Sequence, residues 1–309
     1  MDALKPTRLS FFNEQDPPEL ADLVSDAAVL RELRSLKAHV TMGLRDLSDE
    51  RAAAVQRLTG EGIPVGGWLL LPREQGYFAT HDNAEAVEAR VDDVLRWAER
   101  HELDVHSLGF DFEPDLRELD ALFHHPVKAL AGWARRSTNR PRRERALDSY
   151  RALITRLRSA GWSVESYQFP LLLEDRAADS HFFQRFSSSL DVPVEREVVM
   201  TYSSLLGPLG LGLLEGWTRA VSAVAVGSTG GGVDPLPKLS FDELSRDLRL
   251  AARVCRDVSI FSLEGCVMHG HLPRLIDFDW TAPVSVPLRQ RVGAASIRTS
   301  ARVLARLFR

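Results

Sequence analysis

The sequence predicts a single (β/α)8 barrel. Eight short apolar segments read as strands, helix-like segments mostly separate them, and 309 residues suit a barrel of about 250 residues carrying modest insertions. Strands alternating with helices are the pattern of a sheet built on parallel pairing.

The strands are expected at Arg8–Phe12, His39–Leu44, Pro64–Leu71, Val105–Glu113, Ser163–Phe169, Glu197–Tyr202, Ala220–Val226 and Val258–Glu264. After Pro17-Pro18, helical spacing of Leu20, Leu23, Val24, Ala27, Leu30 and Leu33 predicts the first helical connection. Asp82 with Glu85 and Ser240 with Glu243 have capping-box spacing before apolar periodic runs. Gly60, Gly62 and Gly161 fall between a helix and the next strand, where glycine can end a helix with positive φ.

Two segments stand outside this regular plan. Residues 115–160 form an extended helical connection after the fourth strand, and its basic middle, Trp133–Arg145, reads as a solvated link in preference to an anion-binding lid. Residues 284–309 form a basic C-terminal helix, with Ile297, Ala301, Leu304 and Phe308 on one face and Arg298, Arg302 and Arg306 on another. The pattern fits the closing outer helix of the barrel; peripheral contact with an anionic membrane is the alternative.

Composition bounds the function classes. An apolar fraction of 44% and a charged fraction of 27% are ordinary for a globular protein. The net charge of −4 is uneven, because Thr281–Arg309 holds six arginines and no acid. An acidic body gives no expectation of nucleic-acid binding. Two cysteines, Cys255 and Cys266, make neither a disulfide framework nor a zinc knuckle. With no leader-like N-terminus, and with the apolar run Leu205–Leu214 interrupted by glycine and proline, a soluble cytoplasmic protein is expected.

The chemistry centres on Leu108–Asp115, LGFDFEPD. Strand alternation sends Leu108, Phe110 and Phe112 to one face and Gly109, Asp111 and Glu113 to the other. In a parallel barrel the C-terminal strand ends carry the catalytic groups. Coupled carboxylates in a desolvated cleft hold a proton to higher pH, the condition for a general acid near neutrality. Glu113, nearer the rim, is therefore the expected acid and Asp111 the group that orients it or stabilises developing positive charge. Tyr202 and Glu264, at the ends of the sixth and eighth strands, are expected to complete the catalytic set. Trp68, Gln168, Asn13 and Arg45 are the expected substrate-binding groups. GSTGGG at 227–232 reads as a flexible loop, with phosphate binding as the sharper alternative. His124, His125, His269 and His271 supply no complete ligand set at diagnostic spacing, so neither metal nor cofactor is expected.

GFDFEP resembles the carboxylate strand of family 18 glycoside hydrolases, whose fuller pattern is DxxDxDxE, and MTY resembles that family's tyrosine-bearing sixth strand. Gly109 and His106 occupy the two earlier aspartate places, and Ser203 stands where the family often has Asp. The resemblance implies Glu113 as proton donor, Asp111 as the residue orienting a substrate N-acetyl group, and Tyr202 as a hydrogen-bond donor. The leading expectation is thus a glycosidase-like hydrolase acting by carboxylate acid/base catalysis on a small-molecule or oligosaccharide substrate. Its rivals are a metal-dependent sugar isomerase or lyase using Glu113, Glu264 and nearby histidines, and a non-catalytic barrel binding carbohydrate or a membrane surface.

Overall fold

The computed structural model describes residues 5–118, 125, 131–135, 139–231 and 237–309. Eight parallel strands pair in chain order and close into a barrel: β1 (Arg8–Asn13), β2 (His39–Leu44), β3 (Val65–Leu69), β4 (Val105–Phe112), β5 (Ser163–Gln168), β6 (Arg196–Met200), β7 (Ala223–Gly227) and β8 (Asp257–Phe261). β8 returns to β1 with Phe261 in register with Phe12. Every expected strand is present. Five end earlier than expected: β4 and β5 by one residue, β3 by two, β6 two residues before Tyr202 and β8 three before Glu264.

The helices are α1 (Pro17–Ser25), α2 (Ala27–Leu36), α3 (Asp49–Gly60), α4 (Ala84–Arg100), α5 (Arg140–Ser159), α6 (Leu171–Ala178), α7 (Phe182–Ser187), α8 (Gly210–Thr218), α9 (Phe241–Ala252), α10 (Leu263–Met268) and α11 (Leu288–Leu307). α9 opens with the expected capping box between Ser240 and Glu243. At the other expected box, α4 begins at Ala84, two residues after Asp82, and Asp82 pairs with Arg142. Gly62 and Gly161 have φ of 74° and 85°, the left-handed values expected of them. Gly60 is the last residue of α3 and needs no such freedom.

By their internal contacts the residues group into two compact units. The first comprises Met1–Gly67, Arg96–His106 and Val198–Ser296. Its sheet layer is dry: Phe11, Val226 and Ile260 are fully buried. Arg51, in the first turn of α3, is also fully buried. Its guanidinium donates to Gln15 O at 3.0 Å, Gly43 O at 2.8 Å and the Asp46 carboxylate at 2.6 Å, tying the end of β2 and two loop positions to one side chain. Burial raises the Asp46 pKa, but hydrogen bonds from Arg51 and Ser48 and the Arg51 charge outweigh it and hold the group down to about 2.

The second unit comprises Trp68–Leu95, Ser107–Glu197 and Ile297–Arg309. Ala178, Phe182, Phe183 and Ala305 form an apolar cluster on which Ala301 packs, and Phe308 stacks on Phe182 at 5.3 Å. Arg298 and Arg302 both pair with Glu174, which is fully buried, each at 2.5 Å. That part of the basic helix is therefore anchored through its charges as well as its apolar face. Among the described residues no helix is long and apolar enough to cross a membrane.

Candidate functional site

In the second unit, β4 folds as its alternation requires. Leu108, Phe110 and Phe112 are fully buried, and the two phenylalanine rings meet Tyr150 of α5 edge-on at 6.4 and 5.1 Å. The Tyr150 hydroxyl donates to Thr80 O at 3.0 Å, fixing the ring that supports this face. The opposite face carries Gly109 and Asp111, in register with Glu165 and Tyr167 of β5.

Gly109 is explained by its neighbour. A Cβ at this position would lie 2.2 Å from the Tyr167 hydroxyl oxygen. The room that a side chain at position 109 would need is thus occupied by a phenol from the adjacent strand. Tyr167 donates to Glu165 Oε2 at 3.3 Å, and Arg196 donates to the same oxygen at 2.5 Å. Trp68 packs edge-on against Tyr167 at 6.4 Å and is buried. Sequence reasoning missed Tyr167, Glu165 and Arg196; the alternation of β5 puts Glu165 and Tyr167 on one face and was the available signal.

Asp111 is nearly buried, at 3% exposure, while Glu113 lies immediately past the strand and is half-buried. One carboxyl is enclosed and the next reaches solvent. Gln168 departs from expectation. It shares the register and face of Phe112, and its side-chain amide donates to Leu190 O at 2.8 Å. The strand period turns it to the helix side, away from the Tyr167 face.

In the first unit, Tyr202 lies half-buried beyond β6 with its ring 5.9 Å from Phe261, which in turn stands 6.2 Å from Phe12. Glu264 is not on the eighth strand. Ser262 caps α10, its hydroxyl accepting from Gly265 N at 3.2 Å, and Glu264 falls in the first helical turn. Ile260, Ser262 and Glu264 therefore do not form the expected row; Phe261 takes the face shared with Phe12.

Glu264 nevertheless occupies a built polar pocket. Its carboxylate accepts from Asn13 Nδ2 at 3.1 Å and from Glu14 N at 3.4 Å. Asn13 is fully buried, and its Oδ1 has no hydrogen-bond partner among the described residues. Arg45 holds the same turn, donating to Glu14 O at 3.1 Å and pairing with Asp16 at 3.1 Å. Burial, assisted by the nearby Glu14 charge, pushes the Glu264 carboxyl up to about 7.

The described part of GSTGGG, 227–231, is packed against α10. Ser262 Oγ donates to Gly230 O at 2.5 Å, and a Cβ on Gly231 would meet Glu264 Oε1 at 2.4 Å. These contacts replace the expected loose loop, while Gly232 lies outside the described residues. His124 also lies outside them. His269 and His271 sit with ring centroids 5.7 Å apart, and among the described residues no group of three histidine, cysteine or acidic side chains is placed to hold a metal.

No protein-family model and no curated protein sequence matches this chain. Solved structures do. The PgaB (BpsB) glycoside hydrolase domain from Bordetella bronchiseptica is similar with a TM-score of 0.52 at 10% identity, covering 91% of this chain and 100% of that one. D-allulose 3-epimerase from Methylomonas sp. has a TM-score of 0.44 at 11% identity, over 97% of this chain and 100% of that one. For 3-keto-D-glucoside 4-epimerase from E. coli the TM-score is 0.44 at 12% identity, with 95% and 99% covered. At such identity the likeness to the first of these establishes a shared barrel fold.

Proposed function

We propose that this barrel is a carbohydrate-processing enzyme that cleaves or rearranges a glycosidic bond, with Glu113 as general acid/base and Asp111 as the group that positions substrate. The observation that carries the reading is the division of labour at the end of β4: Asp111 is enclosed at 3% exposure and Glu113 opens toward solvent. A proton donor must reach the leaving oxygen of a bound sugar, whereas an orienting carboxylate works best where water does not compete. Glu113 protonates that oxygen as the bond breaks; Asp111 stabilises the positive charge developing on the sugar or, as the family 18 resemblance implies, holds an N-acetyl group. Tyr167, braced by Glu165 and Trp68, gives the Asp111 face a rigid wall in place of a further aspartate.

The test is a panel of α- and β-linked aryl glycosides, with and without N-acetyl groups, offered to the wild type and to Glu113→Gln. Release by the wild type with a loss of about 100-fold or more in the variant, at unchanged melting temperature, is expected. No release from any member, or equal turnover by the variant, overturns the assignment. Tyr202→Phe and Glu264→Gln in the same assay decide the parts proposed for those residues.

A cytoplasmic location belongs to this reading. Its support is that Cys255 and Cys266 are both free, buried thiols, as a reducing compartment permits. Fractionation of cells producing the tagged protein tests it.

A further inference from the structure

Outside the β4 face, the second unit holds a concentration of arginines that the proposed chemistry does not use. A cavity of about 160 Å³ is lined by Arg140, Arg143, Arg185, Arg309 and His181 together with Glu144 and Asp179, so that four arginines face two carboxylates. A groove of about 570 Å³ shares Arg143 and His181 with it and adds Arg151 and Arg176.

Arg143 is the decisive residue. It is 7% exposed, yet its only hydrogen-bond partner among the described residues is the neutral Gln184 Oε1, at 3.1 Å from Nε and 2.8 Å from Nη2. Nη1 is left without a partner. Apart from Glu144, which lines the cavity with it, the carboxylates around it are engaged with other groups. Asp179 pairs with Arg309 at 2.6 Å, Asp191 and Glu197 with Arg176 at 2.6 Å each, and Asp175 accepts the backbone N–H groups of Phe183 and Gln184 at 3.1 and 2.9 Å. Arg185, 6% exposed, donates to Phe308 O at 2.7 Å, and Arg140 donates to the main-chain oxygen of Arg309. Burial, first, and the Arg185 charge lower the Arg143 pKa, and the nearby Asp175 and Asp191 charges offset this only in part.

A buried guanidinium is costly unless it is paired. Arginine forks match the oxygens of phosphate and hold them through two parallel hydrogen bonds. We infer that this cavity binds the phosphate group of a small phosphate ester, with Arg143 at its base and the rest of the ligand lying along the groove past Arg151. The basic stretch around Arg140–Arg145 is then an anion site made by the start of α5, and not merely a solvated link. The groove falls in the range of volumes that hold small-molecule ligands, and its sharing of two lining residues with the cavity gives the ester carbon skeleton a continuous path.

The test uses the full chain, with thermal denaturation followed at constant ionic strength while chloride is exchanged for inorganic phosphate or for glucose 6-phosphate. A ligand that binds only the folded state raises the midpoint in a saturable way. The expected result is a saturable rise with both phosphates, at lower concentration for glucose 6-phosphate, and none with glucose. Arg143→Met should abolish both responses. Arg151→Met should weaken only the ester. If Arg143→Met does not fold, Arg140→Met replaces it, with a tenfold weaker response expected. A phosphate effect no larger than that of chloride, an undiminished response in these variants, or weaker binding of the ester than of inorganic phosphate would overturn the inference.

Discussion

The hydroxyl of Tyr167 stands where a side chain on Gly109 would begin. An ideal Cβ on Gly109 would lie 2.2, 2.4 and 2.6 Å from the Oη, Cζ and Cε2 atoms of that ring. The two strands are thus interlocked: small residue on β4, large residue on β5. Gly109→Ala is expected to destabilise the fold by about 1 to 3 kcal/mol through overpacking. Because the ring itself is in the way, Tyr167→Phe should not relieve the cost, whereas Tyr167→Val should recover part of it. Urea denaturation of the single and double variants measures both effects.

A second expectation concerns Glu264. Its folded-state pKa is pushed up to about 7 from an ordinary 4.5 by burial. Between those values the folded state binds more protons than the unfolded state, so stability falls as pH rises through the window. The contribution is full below about 4.5 and lost above about 7. Glu264→Gln keeps the shape and the acceptor for Asn13 Nδ2 while removing the titration. Its stability relative to wild type should therefore grow as pH is raised from 5 to 8, read from denaturation midpoints across that range. A constant difference would place the titration elsewhere.

Asp46 should show the opposite slope. Its pKa is held at about 2, below the ordinary 3.8. The stabilisation it brings is present above about 3.8 and disappears as pH falls through about 2. Arg51→Met removes the cause and leaves Gln15 O and Gly43 O without their buried donor. A loss of about 3 kcal/mol at neutral pH, with a flatter acid limb than wild type, is expected in acid and urea titrations.

The strands were legible from their short apolar runs, helped before β3 and β5 by Gly62 and Gly161 at the preceding helix ends. Phe110 and Phe112 announce their shared face in the sequence, and Tyr150 completes it in the structure. The placement of the candidate residues was legible where they lie on a strand, as with Asp111, and less so where the chain changes period. At Ser262 the backbone leaves the sheet and enters a helix, so counting by twos misplaces Glu264. Ser262 followed three residues later by Gly265, whose N–H it receives, was the local signal of that change. Gln168 was lost to phase, since Tyr167 and not its neighbour turns toward Gly109. Arg51 and Arg143 look like surface residues in a helical pattern; only tertiary packing shows that they are enclosed.

Arg51 has a bearing on how this scaffold can be altered. One guanidinium answers to Gln15, Gly43 and Asp46 at once, so the segments after β1 and β2 are inherited together. A recombination that exchanges either segment alone must preserve the carbonyl geometry at that shared arginine, whereas a graft carrying both segments with α3 moves as a self-consistent cassette.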